Sequence, residues 1–272
     1  MGTVVAFAGL LLPVESLRPL QLKIAEVRTA FGIPDGVEIK WSPHKDSWIY
    51  QNLHNPERTE CYRQMLRATC EANATAFVVC IDIGERVDSK STALRKCIDW
   101  CFERVTMCLE RRNSLAVIVC DRPGGGKKEE DALLTDVLAT IETGTDFVKP
   151  TQIPLNILTT PSHLVTELQL SDLVAGVTTA MVAGDVPYAE PVFEEIRPMF
   201  HKNILGYVGG TGLKVYPDSL TNLYHWVCGE TAFTKARIGM GYSLPWWEWP
   251  YATSGSDPNR LATNPRAIRR AP

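Results

Sequence analysis

The chain has no C-x-x-C pair among its eight cysteines and no two of its five histidines at zinc-binding spacing. Those gaps exclude the common zinc modules and a dithiol redox motif. Cys97, Cys101 and Cys108 share a helix face by their spacing, but no further ligand stands near them. The cysteines therefore read as reduced core residues that behave as small hydrophobes, which suits a reducing cytoplasm. No apolar run approaches the roughly 18 residues of a membrane span, so a membrane partner is not expected. The opening T-V-V-A-F-A-G-L-L-L-P has no basic segment before it, which argues against a signal peptide and for a buried strand. Charge of one sign is also missing: 28 basic against 31 acidic residues leave a net charge of −3. Any attraction for nucleic acid must then come from a local patch. G-G-G-K-K at Gly124 to Lys128 lacks the first glycine and the closing Ser or Thr of a phosphate loop.

What is present is the composition of an ordinary globular protein, with 45% apolar and 22% charged residues over 272 positions. Val4 to Leu12 is a continuous apolar run stopped by Pro13. Glu15 to Phe31 carries helical periodicity and ends at Gly32. Val37 to Trp41 alternates. Pro56 to Ala72 predicts a helix, Ala76 to Ile81 a strand closing on Asp82, and Ser89 caps a long helix to about Arg112. Leu115 to Cys120 predicts a third strand closing on Asp121. A loop over Arg122 to Gly126, a helix over Lys127 to Thr143 and a strand over Ile153 to Leu158 follow. Helical stretches are expected from about Leu164, from Glu190 to Leu205 and from Ser219 to Phe233. Apolar strands alternating with helices predict a three-layer α/β domain with helices on both faces of the sheet. That domain spans residues 1–253, and the Pro-, Ser-, Asn- and Arg-rich residues 254–272 read as a disordered basic tail. W-W-E-W-P-Y at Trp246 to Tyr251 reads as the closure of a core or an oligomer interface, with a protein partner or stacked bases as the alternative.

The most informative residue is Asp172, the only charge between Leu168 and Gly184. On a helix, Leu170, Leu173, Val174, Val177 and Met181 form one apolar stripe. Asp172 falls opposite, among Leu168, Ala175, Gly176, Thr179 and Ala183, where small residues replace the expected Lys or Glu. Both sides of the helix thus read as packed, and a carboxylate there needs a partner. The alternative is an Asp that favours the helix dipole. Asp82 and Asp121 end apolar strands, where covered α/β sheets place their sites, although strand-terminal Asp is also a turn residue. Glu38 and Lys40 flank Ile39, so in an extended backbone both face one way, as a metal-and-phosphate pair or as a surface ion pair. Carboxylates from distant parts of a chain repel one another, and Mg²⁺ or Mn²⁺ would quench that repulsion. Glu38, Asp121 and Asp172 are the expected ligands, with Asp82 in reserve and Lys40 facing phosphate.

These segments resemble the bacterial and phage family catalogued as domain of unknown function 3800. The resemblance rests on A-G-L-L-L-P (Ala8 to Pro13), E-I-K-W (Glu38 to Trp41), V-C-D ending at Asp121, L-Q-L-S-D-L-V-A-G (Leu168 to Gly176) and G-T-G-L-K-V-Y-P (Gly210 to Pro217). It implies an RNase H-like mixed sheet, metal-dependent nuclease activity and an acidic site on Glu38, Asp121 and Asp172. Members usually open with a further strand bearing Asp-Glu-Ser, which this chain does not show. A ligand taken from Asp82 or from a partner, a different start, or a non-catalytic binding protein of the same fold are the alternatives that follow.

Overall fold

The computed structural model describes residues 4–83, 89–234 and 241–244. Three strands form the central sheet in the order β1 (Val4–Leu11), β2 (Thr75–Asp82), β5 (Leu213–Tyr216). β1 runs antiparallel to β2, from Val4 opposite Asp82 to Leu11 opposite Thr75. β5 lies parallel to β2, with Val78 opposite Leu213. Two short strands, β3 (Val119–Asp121) and β4 (Leu158–Thr160), pair in parallel as a separate ribbon. β6 (Ala232–Thr234) and β7 (Gly241–Ser243) form a small antiparallel hairpin.

Strand alternation sorts the core into two layers, because successive side chains point to opposite faces. Ala76, Val78 and Cys80 of β2 pack with Val4, Ala6, Ala8 and Leu10 of β1 on one face. That face is covered by α1 (Val14–Ala30), α3 (Glu57–Glu71), α6 (Thr166–Val182) and α7 (Val186–Ile196). Phe77, Val79 and Ile81 point the other way, with Val5, Phe7 and Leu11, onto α4 (Lys90–Arg112) and α5 (Lys127–Thr143). The result is a mixed α/β architecture with helices on both faces of a small sheet, as the alternation of strands and helices predicts. A remaining short helix, α2 (Trp48–Asn52), starts at Ser47, whose hydroxyl accepts from the Tyr50 N–H.

Local signals explain several boundaries. Ser89 Oγ accepts from the Thr92 N–H and starts α4, while Asn113 in the left-handed region ends it. Gly32, with φ of 63°, follows α1. Other expectations need correction. The third strand forms only at Val119–Asp121, and its apolar residues are not buried throughout. Ala116, Ile118 and Cys120 pack on the core, whereas Leu115, Val117 and Val119 are exposed. This ribbon is covered on one side only. The strand expected over Ile153 to Leu158 lies at Leu158–Thr160. The helix expected over Glu190 to Leu205 is α7 plus one 3-10 turn, Arg197–Met199. Ser219 to Phe233 divides into a 3-10 turn, a short π-helical turn at Tyr224–Cys228 and strand β6. Among the described residues no helix is long and apolar enough to cross a membrane. The Trp-rich stretch at Trp246 to Tyr251 and the expected basic tail lie outside the described residues.

Candidate acidic site

α6 sets one wall of the site. Leu170, Leu173, Val174, Val177 and Met181 are fully buried, as the stripe predicts. The opposite side is only half-covered and Asp172 itself is exposed, which corrects the expectation of a helix packed all round. Cover on that side comes from Trp41: a Cβ added to Gly176 would lie 2.6 Å from the Trp41 Cβ. The small residue is there so that the indole can approach.

The segment Glu38 to Trp41 is extended but joins no sheet; side chains take the place of ladder partners. The Ile39 N–H donates to Gln169 Oε1 at 2.9 Å. The Tyr62 hydroxyl donates to the Lys40 carbonyl at 2.7 Å. The Trp41 N–H donates to Asp172 Oδ2 at 3.2 Å. Backbone polar groups of a part-buried segment must find partners, and here two helices, α3 and α6, supply them. Ile39 is buried beneath, so Glu38 and Lys40 share the outer face and form an ion pair of 3.2 Å.

The second wall is the β3–β4 ribbon and the turn after it. Asp121 pairs with Thr160, and the chain then turns through Pro161 into Ser162. The Ser162 N–H donates to Asp121 Oδ1 at 3.0 Å, and its hydroxyl donates to Glu38 Oε1 at 2.6 Å. Gln169 Nε2 donates to the Ser162 carbonyl at 3.1 Å. Glu38, Asp121 and Asp172, separated by up to 134 residues, thus stand on one locality of the surface.

The electrostatics agree with that proximity. Burial pushes the Asp172 carboxyl above its ordinary range, and the charges of Glu38 and Asp121 push it further. The Trp41 N–H and the Lys40 ammonium act in the opposite direction. Solvent reaches part of Asp172, yet the indole and helix beneath it remove enough hydration for burial to be the leading cause.

Asp82, the reserve ligand, is buried at the end of β2 opposite Val4, and the hydrogen bonds described above for the other three acids do not include it. Ser162, Gln169 and Tyr62 were not legible as site residues. A signal exists for Gln169, which lies three residues before Asp172 on the same helix face. None exists for Ser162.

By donor type the site suits a hard divalent ion, since every candidate atom is a carboxylate oxygen. Asp172 Oδ1 and Asp121 Oδ2 hold no hydrogen bond among the described residues. The three acids do not form a closed cage: among the described residues no group of three or more His, Cys, Asp or Glu is gathered tightly enough to hold an ion. Glu38 has both oxygens engaged, one by Ser162 and one by Lys40.

No family model, curated protein or solved structure matches this chain.

Proposed function

We propose that the protein is a divalent-cation-dependent phosphodiester hydrolase with Glu38, Asp121 and Asp172 as its acidic centre. One observation carries this reading: three acids from a loop, a strand end and a helix converge with Lys40 among them, and the carboxyl of Asp172 is raised by its burial first and by the charges of Glu38 and Asp121 in addition. A fold gains no stability from like charges held together. Glu38, Asp121 and Asp172 would hold Mg²⁺ or Mn²⁺, which would supply charge neutralisation and water activation for phosphodiester cleavage. The protein's own residues do the rest. Asp172 Oδ1 and Asp121 Oδ2, which hold no hydrogen bond among the described residues, would be offered to the ion. Lys40, about half-exposed and paired with Glu38, would be the cation available to a substrate phosphate. The RNase H-like classification and the family membership belong to the same proposal. They are supported by the two-sided sheet and by the order of the acids, from a loop, a strand end and a late helix.

The test is cleavage of end-labelled single- and double-stranded DNA and RNA with millimolar Mn²⁺ or Mg²⁺, with a chelator as control. Cleavage abolished by the chelator and by Asp121→Asn is expected. Intact substrates of all four kinds after incubation with the parent protein overturn the reading.

A non-catalytic binding or assembly role is the second reading, favoured by the outer face of the β3–β4 ribbon. Leu115, Val117 and Val119 alternate along the segment that runs into β3, and Leu158 lies directly beside Val119; all four are exposed. Apolar side chains lined up in this way mark contact surfaces more often than scattered ones do. Sedimentation equilibrium separates the readings: self-association lost on Val117→Lys favours assembly.

A further inference from the structure

The strongest feature beyond the three acids is a closed ring of bonds. It runs from the Glu38 carboxylate to the Ser162 hydroxyl, from the Ser162 carbonyl to the Gln169 amide, and from Gln169 Oε1 to the Ile39 N–H, next to Glu38 again. Ser162 spends all three of its polar groups here, because its N–H holds Asp121. Gln169 is buried, and both ends of its amide are used. A buried amide satisfied at both ends fixes the separation of the two segments it joins. One of those segments carries Glu38, and the other, at Ser162, holds Asp121 through its N–H. The helix bearing Gln169 also bears Asp172 one turn on.

We infer that Ser162 and Gln169 are positioning residues, which hold Glu38 and Asp121 at a set distance from Asp172 without touching substrate. This rests on the acidic-centre reading above. Neither residue has the chemistry of a ligand in the present geometry. Gln169 is covered, and the Ser162 hydroxyl is directed at Glu38. Their effect passes through the acids. Partners that orient metal-ligating groups typically change affinity by about 10- to 100-fold when removed.

The experiment uses the full chain and two readouts. The first is the Mn²⁺ dissociation constant from calorimetric titration. The second is NMR hydrogen exchange, without divalent ions, at the Trp41 and Ser162 amides, which bond Asp172 and Asp121. Ser162→Ala, Ser162→Thr and Gln169→Leu are compared with Thr178→Val, a buried α6 change away from the ring. Ser162→Ala and Gln169→Leu are expected to weaken Mn²⁺ by about 10- to 100-fold. Ser162→Thr, which keeps the hydroxyl, stays near the parent, and so does Thr178→Val even if its melting temperature falls. Gln169→Leu also speeds exchange at both amides, because losing its bonds to the Ile39 N–H and the Ser162 carbonyl loosens the two segments that carry them. Parent-like Mn²⁺ binding in both ring variants overturns the assignment. If the parent itself binds no Mn²⁺, the hydrolase reading fails. Amide exchange then decides the positioning role alone: faster exchange at Trp41 and Ser162 in Gln169→Leu supports it, and unchanged exchange overturns it.

Discussion

Trp41 and Asp172 meet across 131 residues of chain: the backbone N–H of one donates to the carboxylate of the other at 3.2 Å. The indole of the same tryptophan lies against Gly176, one turn along α6. A loop without a sheet partner is thereby seated on a helix at two points, one polar and one apolar.

Gly176→Ala tests that seat. The added methyl would sit 2.6 Å from the Trp41 Cβ, with the rigid helix backbone behind it, so the loop must move. A loss of about 1–3 kcal/mol in denaturant unfolding is expected, as for overpacked cores. A change in tryptophan emission of the folded protein should accompany it. An unaltered stability contradicts the packing described.

Asp172→Asn is expected to raise stability at neutral pH when no divalent ion is present. The folded-state value of Asp172 lies above the ordinary 3.8, so the folded state holds this proton more tightly than the unfolded chain. Its contribution is fully present below pH 3.8 and is lost as pH rises through the folded value. The asparagine keeps an acceptor for the Trp41 N–H and carries no charge. Its melting temperature in chelator should exceed the parent's at pH 7, with the difference closing near pH 3.

His201 supplies the opposite pH dependence. It is 8% exposed, stacks on Phe77 at 5.3 Å between ring centres, and lies near Arg111 and Arg112. Burial first, then those two arginines, lower its pKa to about 4 from 6.5. The unfolded chain takes up the proton first, so stability is present above pH 6.5 and declines as pH falls towards 4. The loss is on the order of 3 kcal/mol. His201→Gln should flatten that part of a melting-temperature profile; a profile as steep as the parent's contradicts it.

Thiol chemistry should be slow in the folded state. All eight cysteines are free, and Cys61, Cys80, Cys97, Cys101 and Cys108 are buried. Burial pushes the Cys61, Cys97 and Cys101 thiols up to about 12 and that of Cys120 to about 11. An aromatic disulfide reagent at pH 8 is expected to titrate few groups until denaturant is added, and eight afterwards. Rapid reaction of more than the three partly exposed cysteines contradicts the buried placement.

The parts of the fold legible in the sequence are those in which local signals and burial agree. β2 is apolar at nearly every position because helices cover both its faces, and α4 carries both its cap and its left-handed stop. The Asp172 stripe was readable because five large residues recur on one face of a helix. The β3–β4 ribbon was misjudged because a run of Leu, Val and Ile looks the same whether one face is covered or two. The Glu38 segment alternates like a strand but pairs with side chains, which no periodicity reveals. Ser162 was invisible for a similar reason: its importance comes from a turn that brings it between two acids distant in sequence.

The most direct test of the acidic centre is thermal melting with and without Mn²⁺, at an ion concentration about tenfold above the dissociation constant. An ion bound only by the folded protein should raise the parent's midpoint by roughly 3–6 °C. Asp172→Asn should lose most of that rise while still melting cooperatively, at or above the parent's midpoint, in chelator. Equal rises in parent and variant, or none in the parent, would contradict a shared cation site on Glu38, Asp121 and Asp172.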